Sequence, residues 1–298
     1  MRCSSFRDRD GRTRVGVVRD GALRDVTDLL PDGPGSPVRR LTASAPDHRA
    51  LAGAPEVDPA TVEVLPAVPD PTKIVAAPVN YRAHQTEMSS ASTIDALGVF
   101  LKAPSSLAAD RGVVRLPYVD RRIDQEGELA AVIGRTARHV PESEALDVVF
   151  GYTGLLDMTM RGGEDRSLRK SFDTFTPLGP TVVTPDEVPP IDELELHLRV
   201  NGTLRQRADL RDLIWGLPRL IAYVSSVMTL HPGDVVSTGT PEGVGEVHDG
   251  DRIDLSITGL DALTVTVSGE GATTCPTLGA GRGPVPPSEL TPVAERRS

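Results

Sequence analysis

Two glutamates separated by a single glycine, Glu126 and Glu128, stand at the start of an apolar run in this 298-residue sequence. Because alternate side chains of a β-strand face the same side, a strand here would point both carboxylates in one direction. Residues 129–134 continue the run with apolar side chains on both faces, which indicates a buried strand. The pair is therefore either a solvated strand face or part of a site for a hard divalent cation such as Mg²⁺, Mn²⁺ or Ca²⁺, which prefer oxygen ligands.

A third carboxylate, Asp157, directly follows the apolar stretch 148–156 and is the only acid for several residues on either side. An acid that closes a buried strand either caps the following loop or supplies a further oxygen ligand. Its position alone favours neither interpretation.

His84 and Glu87 are three residues apart in a segment, 80–88, that we predict to begin a helix. This spacing puts them on one helical face, where a carboxylate can orient an imidazole as a general base, although an incidental surface pair has the same spacing. Lys170 is one of only three lysines in the chain. Its ammonium either stabilises an anionic substrate or enolate, or pairs with Asp173 at the surface.

A glycine-rich turn over residues 238–245 closely follows the apolar pair Val235 and Val236. Such a turn can present backbone N–H groups to a carboxylate or an oxyanion, or it can be a tight connection only. It lacks the GxxxxGK[ST] pattern, so a phosphate-binding P-loop is excluded.

The elements that must position these residues are mostly strands. Short apolar runs predict strands at residues 73–77, 113–117, 126–134, 146–156, 180–184, 194–200, 253–257 and 263–267. Apolar residues at helical spacing predict one helix over 217–228, with Pro218 tolerated in its first turn. Strands and helices do not alternate regularly, which argues against a doubly wound sheet and favours a β-rich α+β fold.

The chain divides into three predicted parts. Residues 1–68 form a small β-rich N-terminal domain that opens with a hairpin, residues 12–18 and 22–29, around a turn at Asp20 and Gly21. Residues 69–268 form the main domain. Residues 269–298 are rich in Gly, Pro, Thr and Ser and are predicted to be a flexible tail.

Composition excludes several classes of protein. The formal net charge of −10 would repel a phosphate backbone or an anionic membrane surface, so neither nucleic acid nor membrane is an expected partner. The sequence has no apolar stretch of transmembrane length and no apolar core of a signal peptide, so we expect a cytoplasmic protein. Its two cysteines, Cys3 and Cys275, are too few for a disulfide framework and are expected to be free thiols.

The order of these segments resembles the fumarylacetoacetate hydrolase family over about residues 70–268. The segments that carry the resemblance are 73–84, 100–106, 126–134, 170–179 and 228–245. The opening hairpin is similar to the small N-terminal domain that many members carry. The resemblance implies the family's β-roll fold, usually assembled as a homodimer.

The resemblance also implies roles for individual residues. Glu126, Glu128 and Asp157 match the family's ligands for Mg²⁺ or Mn²⁺, with Ca²⁺ as a further option. His84 and Glu87 match the pair that activates water, and Lys170 matches the lysine that stabilises developing negative charge. The residues that we expect to bind the substrate are Thr240, Gly239, Tyr81, Lys102 and Arg161.

The chemistry that the resemblance implies is hydrolysis of a carbon–carbon bond in an acylpyruvate-like compound, a 2-oxo acid or 1,3-dicarbonyl. The metal polarises the carbonyl and stabilises an enolate, while water activated by His84 attacks the remote carbonyl. Without that water, the same site supports decarboxylation, isomerisation or dehydration. A catalytically silent ligand-binding relative is a third interpretation, but every candidate catalytic residue is present. We expect residues 89–98 to form a mobile lid over the site.

Overall fold

The computed structural model describes residues 1–19, 21–44, 51 and 53–293. The strands within these ranges are β1 Arg2–Arg7, β2 Thr13–Arg19, β3 Ala22–Asp25, β4 Glu56–Val57, β5 Glu63–Val64, β6 Ile74–Ala76, β7 Phe100–Lys102, β8 Leu107–Ala108, β9 Val113–Arg115, β10 Ile123–Gln125, β11 Gly127–Ile133, β12 Val149–Leu156, β13 Thr159–Met160, β14 Thr176–Pro177, β15 Val182–Val183, β16 Glu195–Val200, β17 Thr203–Asp209, β18 Val235–Ser237, β19 Gly245–Glu246, β20 Arg252–Ile257 and β21 Leu263–Ser268. The α-helices are α1 Pro37–Ala43, α2 Arg82–Glu87, α3 Ile94–Leu97, α4 Arg166–Arg169 and α5 Leu217–Val227. The predicted β-rich α+β class is confirmed.

The largest sheet joins the N-terminal strands to strands of the main domain. Its strand order is β4-β3-β2-β1-β15-β12-β11-β18-β6-β7, with β5 also paired to β1. The N-terminal hairpin connects to the main sheet through antiparallel pairing of β1 with β15, where Arg2 lies opposite Val183. Asp20, half of the predicted turn, lies outside the described residues, while Gly21 adopts the positive φ of +77° that such a turn needs. The domain boundary at residue 68 stays a prediction.

Strand β11 is buried on both faces, as its unbroken apolar sequence indicates. Leu129, Ala131 and Ile133 face a core shared with a five-stranded sheet of order β17-β16-β20-β21-β9. The alternate residues Ala130 and Val132 face a second core under the N-terminal strands. The two carboxylates before and within β11 are therefore held by a strand with no freedom to shift register.

Helix α5 closes the first core. Leu217, Leu220, Ile221 and Val224 are its buried face, and Pro218 lies in the first turn, as the sequence predicts. The helix ends at Val227, one residue earlier than predicted. No helix in the described ranges has the length and apolar character that crossing a membrane requires.

The chain passes between two sheets at two neighbouring positions, and the acidic residues lie there. Strands β10 and β13 belong to a three-stranded sheet of order β13-β10-β19, whereas β11 and β12 belong to the large sheet. The crossings from β10 to β11 and from β12 to β13 lie side by side. The turn from β18 to β19 also connects the large sheet to the three-stranded sheet. Three connections between these two sheets therefore meet at one site.

Several boundaries predicted from apolar runs were wrong. Residues 146–148 belong to a 3₁₀ helix, Glu142–Val148, because this part of the apolar run is interrupted by polar neighbours. The second arm of the hairpin ends at Asp25 and continues as a 3₁₀ turn, Thr27–Leu29. Among the strands of six or more residues, the sequence did not identify β1 or β17. Both cysteines are free thiols, as predicted.

The C-terminal segment, residues 269–293, contains no helix or strand in the described structure but makes specific contacts. The Gly163 amide donates to the Gly279 carbonyl at 3.0 Å. Arg122 donates to the carbonyls of Pro286 and Pro287 at 3.4 and 3.3 Å. The segment therefore packs along the small sheet towards α2. The flexibility predicted for it stays a prediction.

Candidate active site and metal centre

Three carboxylates meet where the strand pairs leave the large sheet. Glu126 lies between β10 and β11, Glu128 is the second residue of β11, and Asp157 directly follows β12. One carboxylate oxygen from each lies within 4.8 Å of the others, and all three residues are buried. The Asp157 amide donates a hydrogen bond of 2.8 Å to the Glu126 carbonyl, which joins the two crossings. We call these three residues the acidic triad.

Three cationic side chains lie against the acidic triad. The Lys170 ammonium donates to Glu126 Oε2 at 2.7 Å and to Asp157 Oδ2 at 2.5 Å. Arg161 Nη2 donates to Glu126 Oε1 at 2.7 Å, and Lys102 donates to Asp157 Oδ1. Burial alone would raise the pKa of Glu126, but the charges of Lys170 and Arg161 outweigh it and hold that pKa well below its usual range. The buried charge on two of the three carboxylates is thus compensated.

Glu128 differs from the other two because no cationic side chain of the described residues pairs with it. Both hydrogen bonds that it accepts fall on Oε2, from the Ser237 hydroxyl and from the Gly239 amide at 2.9 Å. Burial raises the pKa of Glu128 to about 8, and the charge of Asp157 adds to the rise. A divalent cation held by the acidic triad would supply the missing positive charge. Three carboxylates are donors that Mg²⁺ and Mn²⁺ favour, so the residues present fit such an ion.

His84 and Glu87 form a hydrogen-bonded pair on α2. His84 Nδ1 lies 2.9 Å from Glu87 Oε2. An ionised carboxylate only accepts hydrogen bonds, so this contact puts a proton on Nδ1, and in the neutral imidazole it leaves the lone pair on Nε2. Glu87 Oε1 accepts two more hydrogen bonds, from the Gly243 amide at 2.8 Å and from Thr291 Oγ1 at 2.5 Å. The carboxylate is therefore fixed on both oxygens, and it fixes the imidazole in turn.

The glycine-rich turn after β18 holds both the acidic triad and the histidine pair through its amides. The Gly239 amide binds Glu128 and the Gly243 amide binds Glu87. Gly243 has a φ of +92°, and a Cβ there would lie 1.9 Å from the Arg205 carbonyl oxygen. Only glycine fits such a position. Two amides of this turn thus bind carboxylates of the protein itself. Its use for a carboxylate or oxyanion of a substrate stays a prediction.

Thr240 and Gln206 support the strand that carries Glu128. Thr240 Oγ1 donates to the Gly127 carbonyl at 3.0 Å and accepts from Gln206 Nε2 at 2.8 Å. Gln206 Oε1 accepts from the Gly127 amide at 2.9 Å. Sequence reasoning missed Gln206 and Ser237, because a lone polar residue on a strand has no spacing that distinguishes it from a surface residue.

A cavity of about 50 Å³ opens beside the acidic triad. The predicted site residues that line it are His84, Glu126, Glu128, Arg161, Lys170 and Thr240. Further lining residues are Ser90 from the predicted lid, Phe100 on β7, Arg166 and Arg169 on α4, and Pro284 of the C-terminal segment. The motion of residues 89–98 stays a prediction.

The structure does not bring three predicted substrate contacts, Tyr81, Lys102 and Gly239, to the lining of this cavity. Lys102 is 1% exposed, and its ammonium is used by Asp157 and the Phe175 carbonyl. Tyr81 is buried, with no partner for its hydroxyl among the described residues. Gly239 presents its amide to Glu128 instead. The side chain of Lys102 and the amide of Gly239 thus serve the acidic triad.

Comparison with known proteins places this arrangement in a family. Residues 73–268 match the model described as fumarylacetoacetate (FAA) hydrolase C-terminal. The chain is 42% identical over 280 residues to a maleylpyruvate hydrolase from Aquipseudomonas alcaligenes, which covers 87% of this chain and 98% of the relative. It is 43% identical over 204 residues to a mitochondrial oxaloacetate tautomerase from Arabidopsis thaliana, covering 66% of this chain and 91% of the relative.

Comparison with a solved structure supports the same family. The crystal structure of maleylpyruvate hydrolase from Sphingobium sp. SYK-6 in complex with manganese(II) and pyruvate has a TM-score of 0.78 and 39% identity, covering 92% of this chain and 100% of that chain. The family match spans β6 to β21 and includes the acidic triad, the His84–Glu87 pair and Lys170. The chain is an enzyme and belongs to the fumarylacetoacetate hydrolase family.

Proposed function

We propose that the enzyme is a metal-dependent hydrolase that cleaves a carbon–carbon bond in an acylpyruvate-type substrate. The observation that carries the proposal is that His84, held by Glu87, lines the same cavity as Glu126 and Glu128. Hydrolysis needs a general base that activates water, and this pair can supply it. The similarity to two maleylpyruvate hydrolases supports the same chemistry.

Glu126, Glu128 and Asp157 would hold Mn²⁺ or Mg²⁺. When bound, such an ion supplies Lewis-acid polarisation of the 2-oxo acid end of the substrate. The chain itself contributes the remaining functions. The ammonium of Lys170, held by Glu126 and Asp157, stabilises negative charge beside the cavity, and Arg161 adds a second donor.

His84 Nε2 takes a proton from water, and the resulting hydroxide adds to the remote carbonyl carbon. The carbon–carbon bond between that carbonyl and the adjacent methylene then breaks, and its electron pair goes to the methylene carbon as the pyruvate enolate. Protonation of that carbon gives pyruvate, and the acyl part leaves as a carboxylic acid. Glu87 stabilises the imidazolium that exists between these proton transfers.

The relative named as an oxaloacetate tautomerase supports a second candidate. Tautomerisation of a 2-oxo acid needs the enolate-stabilising part of the site, from the acidic triad and Lys170, but consumes no water. The two candidates therefore differ in whether water is consumed and pyruvate is released.

The test follows the ultraviolet absorbance of an acylpyruvate enol with purified protein and Mn²⁺, then with excess chelator, and identifies the products. We expect decay that the chelator abolishes, with pyruvate and the matching acid in equal amounts. His84→Gln should reduce that rate by about 10²–10⁴-fold, whereas His248→Gln, a change at an exposed histidine, should leave it unchanged. Enol–keto conversion without pyruvate would favour the tautomerase candidate and contradict the hydrolase.

A further inference from the structure

The reacting groups of the active site have almost no contact with solvent. No residue of the acidic triad is more than 4% exposed, and His84 is 5% exposed. A metal ion or a substrate can therefore reach these groups only when a wall of the cavity moves. Two surface segments line the cavity and are the candidates for this wall: residues 89–98, through Ser90, and the C-terminal segment, through Pro284.

Residues 89–98 are the more firmly attached of the two segments. Ile94 is fully buried in the first core, which α5 closes. Asp95 accepts hydrogen bonds from Trp215 Nε1 at 2.8 Å and from Arg219 Nη2 at 3.1 Å. Moving this segment would expose an apolar side chain to water and would break both hydrogen bonds.

The part of the C-terminal segment that lines the cavity is attached more loosely. We call residues 284–291 the strap, and most of these residues are exposed. Among the described residues, its hydrogen bonds are two long ones from Arg122 to proline carbonyls, of 3.4 and 3.3 Å, and one from Thr291 to Glu87. Opening the strap would break these hydrogen bonds and would expose little additional apolar surface.

Two glycines separate the strap from an anchored part of the chain. At the anchor, the Gly163 amide donates to the Gly279 carbonyl at 3.0 Å. Gly281 and Gly283 follow, with φ angles of +73° and +79°. Glycine has the greatest backbone freedom of all residues, so the chain can change direction here. The strap itself begins Pro-Val-Pro-Pro, which is stiff because proline fixes φ and restricts the residue before it.

We propose that the strap turns about Gly281 and Gly283 to open the active site and, when it closes, places Thr291 on Glu87. Opening admits the metal ion and the substrate to the buried groups. Closing completes the hydrogen bonds of the carboxylate that orients His84. This second role rests on the proposed function, in which His84 activates water. One segment thereby links access to the site with the orientation of the general base.

A reversible cross-link tests whether the strap opens. A Cβ at Gly245 would lie 3.0 Å from Leu290 Cδ2, so a disulfide between these two positions is within reach. Oxidised Gly245→Cys/Leu290→Cys would hold the far end of the strap against β19, and reduction would release it. Mass spectrometry confirms that the bond has formed, and the two single variants control for the substitutions themselves.

The readout is the rate at which Mn²⁺ leaves the protein into excess chelator. We expect release from the oxidised double variant to be at least about tenfold slower than release from its reduced form. The reduced form and both single variants should release Mn²⁺ at a rate within about twofold of the unaltered protein. Equal rates for the oxidised and reduced double variant would overturn the proposal and would assign the moving wall to residues 89–98.

Thr291→Val gives a second measurement that needs no cross-link. Loss of the hydrogen bond to Glu87 favours the open strap, so Mn²⁺ release should become about fivefold faster. Thr203→Val, at an exposed strand end, should leave the release rate unchanged. An unchanged rate in Thr291→Val would contradict a strap that this contact holds closed.

Release of Mn²⁺ is measured without turnover, so the strap and the proposed function fail separately. A protein that shows the expected release rates but cleaves no acylpyruvate would refute the hydrolase and keep the strap. A protein that cleaves acylpyruvates at the same rate in the oxidised and reduced double variant, with equal Mn²⁺ release, would refute the strap and keep the hydrolase.

Discussion

Thr291 donates a hydrogen bond of 2.5 Å to Glu87 although 204 residues separate the two in the chain. The family match ends at residue 268, so this contact brings a residue from outside the matched segment onto the carboxylate that holds His84. Pro284 lines the cavity as well. The C-terminal segment thus lines the cavity and takes part in the hydrogen bonding of the site.

Thr291→Val should reduce the hydrolysis rate without weakening metal binding. It removes one of two hydrogen bonds on Glu87 Oε1 and keeps the volume of the side chain, so we expect the barrier to rise by about 1 kcal/mol and kcat to fall about fivefold. Stopped-flow or steady-state enol decay measures this. Thr203→Val, at an exposed strand end, controls for the loss of a threonine hydroxyl. An unchanged kcat would show that Gly243 alone is enough to hold Glu87.

Glu128→Gln should remove divalent-ion binding. The variant keeps shape and hydrogen-bonding capacity but loses the only carboxylate of the acidic triad that lacks a cationic partner, so two carboxylates already neutralised by lysine and arginine remain. We expect the Mn²⁺ affinity, measured by electron paramagnetic resonance or calorimetry, to fall at least about 100-fold and activity to disappear with it. Glu246→Gln, near the site but exposed, should bind Mn²⁺ normally. Normal Mn²⁺ affinity in Glu128→Gln would take Glu128 out of the ligand set.

The sequence predicts those parts of the site that local spacing defines. Glu126 and Glu128 share a face because of strand alternation, and His84 and Glu87 meet because of the helical repeat. Local spacing does not predict the need for Gly127. A Cβ at that position would lie 2.9 Å from Leu198 Cδ1 and 3.0 Å from Leu255 Cδ1, two residues of the facing sheet. Glycine is needed there because two sheets pack closely at this position. No local sequence pattern predicts that packing.

The same limit explains the partners that the sequence did not identify. The hydrogen bond from Ser237 to Glu128 spans 109 residues and that from Lys102 to Asp157 spans 55. The first depends on β11 and β18 being neighbours in the large sheet. The second joins β7 to the end of β12, although three strands separate β7 from β12 in the order of that sheet. Residue type alone could suggest Lys102 as a charged site residue, but not that its partner is a triad carboxylate rather than substrate.

Gly243→Ala should impair both folding and catalysis, because the position combines a φ of +92° with a Cβ that would lie 1.9 Å from the Arg205 carbonyl oxygen. We expect a decrease of about 2–3 kcal/mol in the free energy of unfolding and a large loss of activity as the Gly243 amide moves away from Glu87. Urea unfolding and enol decay measure the two effects. Gly250→Ala tests the effect of backbone strain at a positive φ without a steric contact of the new Cβ. Its φ is +85°, but a Cβ there meets no atom within 4 Å, so only about 1 kcal/mol and no activity should be lost. Equal effects of the two changes would contradict the role of the contact with Arg205.

The ionisation of Glu164 makes the free energy of unfolding depend on pH. Hydrogen bonds from Arg121, and from Thr277 of the C-terminal segment, lower the pKa of Glu164 from 4.5 to about 2. Because the folded-state pKa lies below the unfolded-state value, the contribution is fully present above about pH 4.5 and is lost as the pH falls towards 2. Glu164→Gln should therefore be less stable than the unaltered protein by about 2 kcal/mol at pH 7, since it also leaves the buried Arg121 guanidinium without its counterion. In urea unfolding, that difference should shrink steadily between pH 4.5 and pH 3. A difference that stays constant over this range would mean that lost packing, and not the ion pair with Arg121, accounts for the effect.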